Sequence, residues 1–129
     1  MKMYIRPNML IGEVQKVFND MFPFLRLEFY KNSADIKPRR KMSDLARIGD
    51  GQLVITDSDL EVSPDMRVKD LENAFKKLFT LTVEVFRRSG STWLQTTITD
   101  DWTLEHQNNH GKEISEVTKY LKHNDITED

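Results

Sequence analysis

The hydrophobic and polar positions of this chain follow two periods, one typical of strands and one typical of helices. Met3 and Ile5 alternate with polar neighbours, and residues 25–30 alternate in the same way, so both segments are predicted to be half-buried strands. Between them, apolar residues recur every three or four positions and predict a helix over residues 9–22. The same order of strand, helix and strand is predicted over residues 60–86.

The second stretch repeats the first. Residues 3–22 align with residues 60–79 at a constant offset of 57, and residues 27–30 align with residues 83–86 after a slip of one residue. Four aligned pairs are identical: Pro7 and Pro64, Met9 and Met66, Phe18 and Phe75, Phe22 and Phe79. The alignment predicts an internal duplication, residues 3–30 and 60–86, within a single α+β domain that spans residues 1–129.

Shorter patterns predict the remaining elements. Glycines and polar residues mark the turns, and Ser43, Asp100 and Asp101 are the predicted helix caps. The predicted elements are a short helix over 42–48, a strand over 53–56, a hairpin turn at 88–91 with a return strand over 93–99, a short helix from 100 that ends at 108–111, and a last helix over 112–122.

Two βαβ units in tandem predict a ferredoxin-like fold, in which one antiparallel sheet carries two helices on one face. An added hairpin strand and a C-terminal helix would complete it. A competing order, ββαββ, begins with a hairpin over residues 53–62. There, Pro64-Asp65 before the helix start Val68-x-Asp70-Leu71 resembles the strand-to-helix join of ubiquitin-like β-grasp proteins. This resemblance covers about half of the chain and implies a β-grasp sheet.

Composition excludes several kinds of chemistry. The 129 residues contain no cysteine, which excludes a disulfide framework, a thiolate metal site and a thiol nucleophile. The first residues contain no apolar signal-peptide core, and no apolar run is long enough to span a membrane, so we expect a cytoplasmic protein without a membrane partner.

Charge alternates along the chain. Residues 1–42 carry nine Lys/Arg and four Asp/Glu, and residues 43–66 carry one and six. Residues 67–96 carry six and three, and residues 97–129 carry three and eight. Because the basic and acidic segments nearly neutralise each other, we expect no strong general attraction for nucleic acid.

One face of the predicted sheet collects aromatic and basic side chains. Side chains two positions apart on a strand share a face, and this parity places the aromatic residues opposite the helices. The candidate binding residues are Tyr4, Tyr30, Phe86, Trp93, Arg26 and Arg88. Such a layout suits contact with a protein partner, self-association or stacking of single-stranded bases. Alternatively, helix 112–122 covers this face and buries its aromatic residues.

A second candidate is an acidic segment with two histidines. His106 and His110 are four residues apart, as metal ligands on one helix face would be, and Asp100, Asp101 and Glu105 could add carboxylates. Against this, residues 108–111 resemble a helix end, and paired aspartates before a helix are ordinary caps.

These patterns favour a small non-catalytic protein-interaction or regulatory domain, which contacts a protein partner or a second copy through the aromatic and basic face. We expect no cofactor and no metal. Two alternatives remain open: a metal- or anion-binding enzyme that uses residues 100–110, and a single-stranded nucleic-acid binder.

Overall fold

The computed structural model describes residues 1–31, 40–51 and 59–125. Within these ranges the chain is an α+β fold with two small antiparallel sheets and three helices. The elements in chain order are β1 (Met3–Ile5), α1 (Ile11–Met21), β2 (Leu25–Lys31), a 3₁₀ turn (Ile48–Gly51), β3 (Leu60–Val62), α2 (Val68–Phe79), β4 (Leu81–Ser89), β5 (Thr92–Gln95) and α3 (Leu104–Asp125). The predicted strand over residues 53–56 lies outside the described residues.

Helices α1 and α2 form where the helical period predicted them. Each has a carboxylate in its first turn, Glu13 in α1 and Asp70 in α2, where a negative charge stabilises the helix dipole. Glu13 also accepts a hydrogen bond from the Leu10 backbone N–H at 3.1 Å. Helix α2 ends at Thr80, whose φ of 55° places it in the left-handed region that terminates helices.

The strands of the described residues do not form the single sheet that a ferredoxin-like fold requires. Strand β1 pairs with β3 in a two-stranded sheet, and β2, β4 and β5 form a separate three-stranded sheet in that order. All of these pairings are antiparallel. Each sheet therefore combines a strand from the first half of the chain with a strand from the second half.

The strand registers are symmetric about two central pairs. Around the pair Tyr4 and Glu61, Met3 lies opposite Val62 and Ile5 lies opposite Leu60. Around the pair Glu28 and Glu84, the register has the same form: Leu27 opposite Val85 and Phe29 opposite Val83. Exchanging the aligned positions of the two halves leaves both registers unchanged.

Equivalent backbone hydrogen bonds also anchor the two helix starts. In each half, the first residues of the helix hydrogen-bond to a later turn, residues 44–49 in the first half and residues 100–105 in the second. The two sets of partners occupy aligned positions. The first set is Ile11 N to Ala46 O (2.8 Å), Gly12 N to Asp44 O (2.9 Å), Ile48 N to Met9 O (2.9 Å) and Gly49 N to Pro7 O (2.9 Å). The second set is Val68 N to Trp102 O (3.0 Å), Lys69 N to Asp100 O (2.7 Å), Leu104 N to Met66 O (2.8 Å) and Glu105 N to Pro64 O (2.9 Å).

The core lies between the helices and the inner faces of both sheets. Phe18 and Phe75, the central residues of the two helical stripes, are fully buried as predicted. Phe75 packs edge-on against Phe29 of β2 with ring centroids 5.2 Å apart. One cluster of buried side chains therefore includes residues of α1, α2 and both sheets.

Two predicted helix boundaries are wrong. The segment 42–48 is a turn, in which the Ser43 hydroxyl accepts a hydrogen bond from Leu45 N at 3.1 Å, and the 3₁₀ turn begins only at Ile48. Residues 108–111 do not end a helix, because α3 runs without a break from Leu104 to Asp125.

Gly111 lies inside α3 because the helix packs closely on β4. A Cβ atom there would stand 3.0 Å from Arg87 Cγ and 3.0 Å from Phe24 Cβ. Neither predicted aspartate caps this helix. Thr103 does so, since its hydroxyl accepts a hydrogen bond from His106 N at 3.1 Å.

Candidate functional site

The outer face of the β2–β4–β5 sheet, the face turned away from the core, carries most of the predicted binding residues. Cross-strand pairs place Arg26 beside Phe86 and Arg88 beside Trp93. Residues directly opposite each other in an antiparallel pair share a face. The structure thus brings four of the six predicted residues together, and we call Arg26, Phe86, Arg88 and Trp93 the outer-face cluster.

Trp93 lies between two guanidinium groups in this cluster. The guanidinium carbon of Arg26 is 5.2 Å from the ring centroid of Trp93, and that of Arg88 is 5.8 Å away. Both distances lie within cation–π range. Arg88 also donates from Nε to the Gly90 carbonyl at 2.9 Å, which orients it beside the ring. The arrangement holds a partly exposed indole in a fixed position with positive charge on two sides.

The other two predicted residues have different surroundings. Tyr4 lies in the two-stranded sheet, where it is 52% exposed, so it is not part of the same sheet face as Trp93. Tyr30 is on the predicted face of β2 but only 9% exposed. It pairs with Lys41, which belongs to a segment that crosses the edge of β2. Because it is buried, Tyr30 offers little area for contact.

Charge on the outer face is uneven. Arg26 Nη2 lies 3.0 Å from Glu28 Oε1, and Lys41 Nζ lies 3.9 Å from the same oxygen. The Glu28 carboxylate therefore lies within ion-pair distance of both cations. Arg26 Nε is shielded from solvent and has no hydrogen-bond partner among the described residues. Glu84 lies opposite Glu28 and adds a second carboxylate to this face, whereas Arg88 lies beside Trp93, so positive charge is concentrated around the indole.

A shallow groove adjoins the cluster. It has a volume of about 410 Å³ and lies where α1 passes the edge of β2. The side chains of Gln15, Lys16 and Asn19 line it from α1, and those of Arg26, Glu28 and Trp93 line it from the sheet. The groove is mostly open, and its walls combine one aromatic ring with amide and charged groups. That chemistry suits a polar peptide segment.

Helix α3 does not cover the outer face. Gln107 of α3 accepts a hydrogen bond from Arg87 Nη1 at 2.8 Å, and Arg87 points to the side of β4 opposite Phe86 and Arg88. The helix therefore packs on the inner side of the sheet. Its apolar residues Val117, Tyr120 and Leu121 are each more than half exposed. The alternative in which helix 112–122 covers the aromatic face therefore does not hold for the described residues.

The two histidines of the acidic segment pack against one aromatic ring. His106 stacks on Trp102 with centroids 4.2 Å apart and planes 9° from parallel, and His110 meets the same ring edge-on at 5.4 Å. The Arg87 guanidinium lies 5.7 Å from this ring, and burial lowers the pKa of Arg87 from its ordinary value. Among the described residues, no three His, Asp or Glu side chains are arranged to hold a metal ion.

Gln107 is the buried polar residue that sequence patterns missed. It is fully buried and donates from Nε2 to both the backbone oxygen and the hydroxyl of Thr99, each at 2.7 Å. Its amide thus ties α3 to the segment after β5 and, through Arg87, to β4. Gln107 sits between two histidines in the sequence, and its position in the helix alone gave no sign of burial.

Ion pairs cover the two-stranded sheet around Tyr4. Lys2 Nζ lies 2.7 Å from Glu61 Oε1, and Arg6 Nε lies 3.3 Å from Asp59 Oδ2. The hydrogen bond to Glu61 and its charge raise the pKa of Lys2, and a hydrogen bond from the Ser63 hydroxyl lowers the pKa of Asp65. The four ion-paired side chains are between 42% and 64% exposed, and each has its own partner, which indicates a solvated surface.

No helix within the described ranges has the length and apolar character needed to cross a membrane. Comparison with known proteins returns no matching family model, no matching curated protein and no matching solved structure.

Proposed function

We propose that this chain is a non-catalytic protein-interaction domain that binds an acidic segment of a partner protein on its outer-face cluster. The observation that supports this most is the position of Trp93, half-buried between Arg26 and Arg88 on a sheet face that α3 leaves open. A fixed, partly exposed Trp with flanking Arg is the composition of an interface centre.

The partner's acidic character follows from the charges beside Trp93. Arg26 and Lys41 lie 3.0 and 3.9 Å from the same Glu28 oxygen, and Lys16, which pairs with Asp20 at 2.9 Å, lines the groove. A carboxylate that enters the groove would pair with the Arg26 guanidinium, which lines it. An extended segment with alternating acidic and apolar residues fits both the charge and the ring.

We further propose that the two halves of the chain derive from one duplicated βαβ unit. The supporting observations are the symmetric strand registers and the equivalent hydrogen bonds at the two helix starts. The repeat then extends past the predicted limits, to the turns near residues 44–49 and 100–105. We also propose that the chain forms a single domain, because one buried cluster joins both halves.

The test of the binding function compares Trp93→Ala with Tyr4→Ala. Each variant removes an aromatic ring from a strand, exposed at Tyr4 and half-buried at Trp93, but only Trp93 lies in the outer-face cluster. Proteins captured from native extract by the wild type should be retained by Tyr4→Ala. For Trp93→Ala we expect the loss of about 2 kcal/mol or more of binding free energy, which is about 30-fold in Kd.

Stability measurements complete the test. If Trp93→Ala keeps every captured partner but unfolds at much lower denaturant concentration, Trp93 is a core residue and the proposal is wrong. Charge reversal by Arg88→Glu should weaken partner binding in a salt-dependent manner. If instead the wild type binds single-stranded oligonucleotides and Trp93→Ala abolishes that binding, nucleic acid replaces the acidic protein segment as the ligand.

A further inference from the structure

The outer edge of β5 presents unpaired backbone groups. Thr96 N donates to Val85 O at 3.2 Å, so the even-numbered residues of this strand direct their backbone groups towards β4. The N–H and C=O groups of Trp93 and Gln95 therefore point the other way. No backbone partner for these groups occurs among the described residues.

The opposite edge of the same sheet is covered. Asn19 Nδ2 donates to Leu25 O at 2.9 Å, and Gln15 Nε2 donates to Leu27 O at 2.9 Å. Met42 N donates to Phe29 O at 2.8 Å. The carbonyl oxygens of Leu25 and Leu27 thus accept hydrogen bonds from α1, and that of Phe29 accepts one from the segment that follows β2. Specific hydrogen bonds therefore protect the β2 edge of the sheet, and none of this kind occurs at the β5 edge among the described residues.

The sequence around β5 also lacks the charged residues and prolines that commonly prevent strand pairing. Residues 89–99 contain no Asp, Glu, Lys, Arg, His or Pro, in a chain with 31% charged residues. Natural edge strands are commonly protected by Lys or Pro. In addition, Leu94 is 46% exposed and Ile98 is 97% exposed. An uncharged, partly apolar and open edge is a template for a further strand.

We propose that β5 pairs with β5 of a second copy of this chain, antiparallel and about a twofold axis at Leu94. The outward-facing residues, Trp93 and Gln95, are symmetric about Leu94, so each would pair with the other residue type in the second copy. This register satisfies the N–H and C=O groups of both residues in both copies. It places Leu94 beside Leu94 of the second copy and brings no like charges together.

This inference goes beyond the proposed partner binding, because it uses the strand edge and not the outer face. Both copies would form one continuous sheet, with their outer faces on the same side. The two outer-face clusters would then form a surface for two partner segments at once.

The test uses single-cysteine variants, since the chain has no cysteine of its own. The proposed register makes Leu94 a non-hydrogen-bonded pair with a Cα separation of about 4.5 Å, which is within the range for a disulfide. We expect Leu94→Cys to form a disulfide-linked dimer at least about tenfold faster than Ile98→Cys under mild oxidation, although Ile98 is the more exposed residue. Equal or faster dimerisation of Ile98→Cys would overturn the proposal.

A charge-swap pair gives an independent measurement. Leu94→Lys and Leu94→Glu should each sediment as monomers, because like charges meet at the axis, and their mixture should associate. Failure of the mixture to associate, while wild-type chain dimerises, would show a different interface. If the wild-type chain remains monomeric at protein concentrations up to about 1 mM, no second copy pairs with this edge.

A double variant separates the two proposals. Leu94→Cys combined with Trp93→Ala should still form the disulfide while it loses captured partners. Loss of the disulfide with retained partners would refute both assignments. If the double variant loses its partners but still forms the disulfide, both proposals are supported. If Leu94→Cys alone forms no disulfide but keeps its partners, the strand-pairing proposal is wrong and the outer-face proposal stands.

Discussion

Phe75 packs against two aromatic neighbours, with centroid distances of 5.2 Å to Phe29 and 5.9 Å to Phe79, and it is fully buried. Removing this ring leaves a cavity that the surrounding helix and sheet cannot fill. We therefore expect Phe75→Ala to lower the free energy of unfolding by about 3–5 kcal/mol, measured by urea denaturation.

Phe18, at the aligned position of the first half, should show a loss of the same size. The matched control is Val17→Ala, because Val17 is the neighbour of Phe18 in α1 and is 41% exposed. It should cost less than about 1 kcal/mol. Losses below about 1 kcal/mol at both phenylalanines would contradict the burial that the helical period predicted.

Single residues of the candidate site show what parity can and cannot predict. The period of two correctly placed Arg26, Phe86, Arg88 and Trp93 on one face, because these residues lie on strands with regular alternation. It did not predict the burial of Tyr30, which lies where the segment around Lys41 bridges to the edge of β2. It also grouped Tyr4 with residues of a different sheet.

At the scale of one element, α3 shows how a glycine can be misinterpreted. A glycine after two asparagines is typical of a helix end, but Gly111 lies inside a 22-residue helix. The reason is tertiary: α3 approaches β4 so closely that Arg88 O would be 3.3 Å from a Cβ atom at this position. This contact joins residues far apart in the chain, so the local sequence around Gly111 does not predict it. By contrast, α1 and α2 have regular apolar stripes, so their bounds were predicted to within two residues.

This contact reverses the usual effect of a glycine-to-alanine substitution. In an exposed helix, Gly→Ala stabilises by about 1 kcal/mol. At residue 111 the added methyl group would press on Arg87 and Phe24, so Gly111→Ala should lower stability by about 1–3 kcal/mol. Thermal melts would measure it.

Asn109→Ala provides the control, because Asn109 is an exposed neighbour in the same helix and alanine has the better helix propensity. It should leave stability unchanged or raise it slightly. A stabilising Gly111→Ala would mean that α3 can move away from β4 at no cost.

At the scale of the whole molecule, strand pairing was the part that sequence patterns predicted least. The strands and their faces could be predicted from alternation, but the pairing of β1 with β3 and of β2 with β4 joins segments fifty or more residues apart, such as Met3 and Val62. Two βαβ units can form one four-stranded sheet or exchange strands between two sheets, and both arrangements bury the same apolar faces. The alternation is identical in the two cases, so the ferredoxin-like sheet was a reasonable but incorrect choice.

The exchange of strands between the halves has a consequence for fragment complementation. Neither half can complete its strand pairing alone, because the partner of β1 is β3 and the main partner of β2 is β4. Fragments 1–51 and 59–129, produced separately, should each remain largely unfolded and should recover native circular dichroism when mixed. A fragment 59–129 that folds as a stable monomer would contradict this. In the intact chain, the connection between residues 51 and 59 would act as a tether that raises the local concentration of one half around the other to the millimolar range.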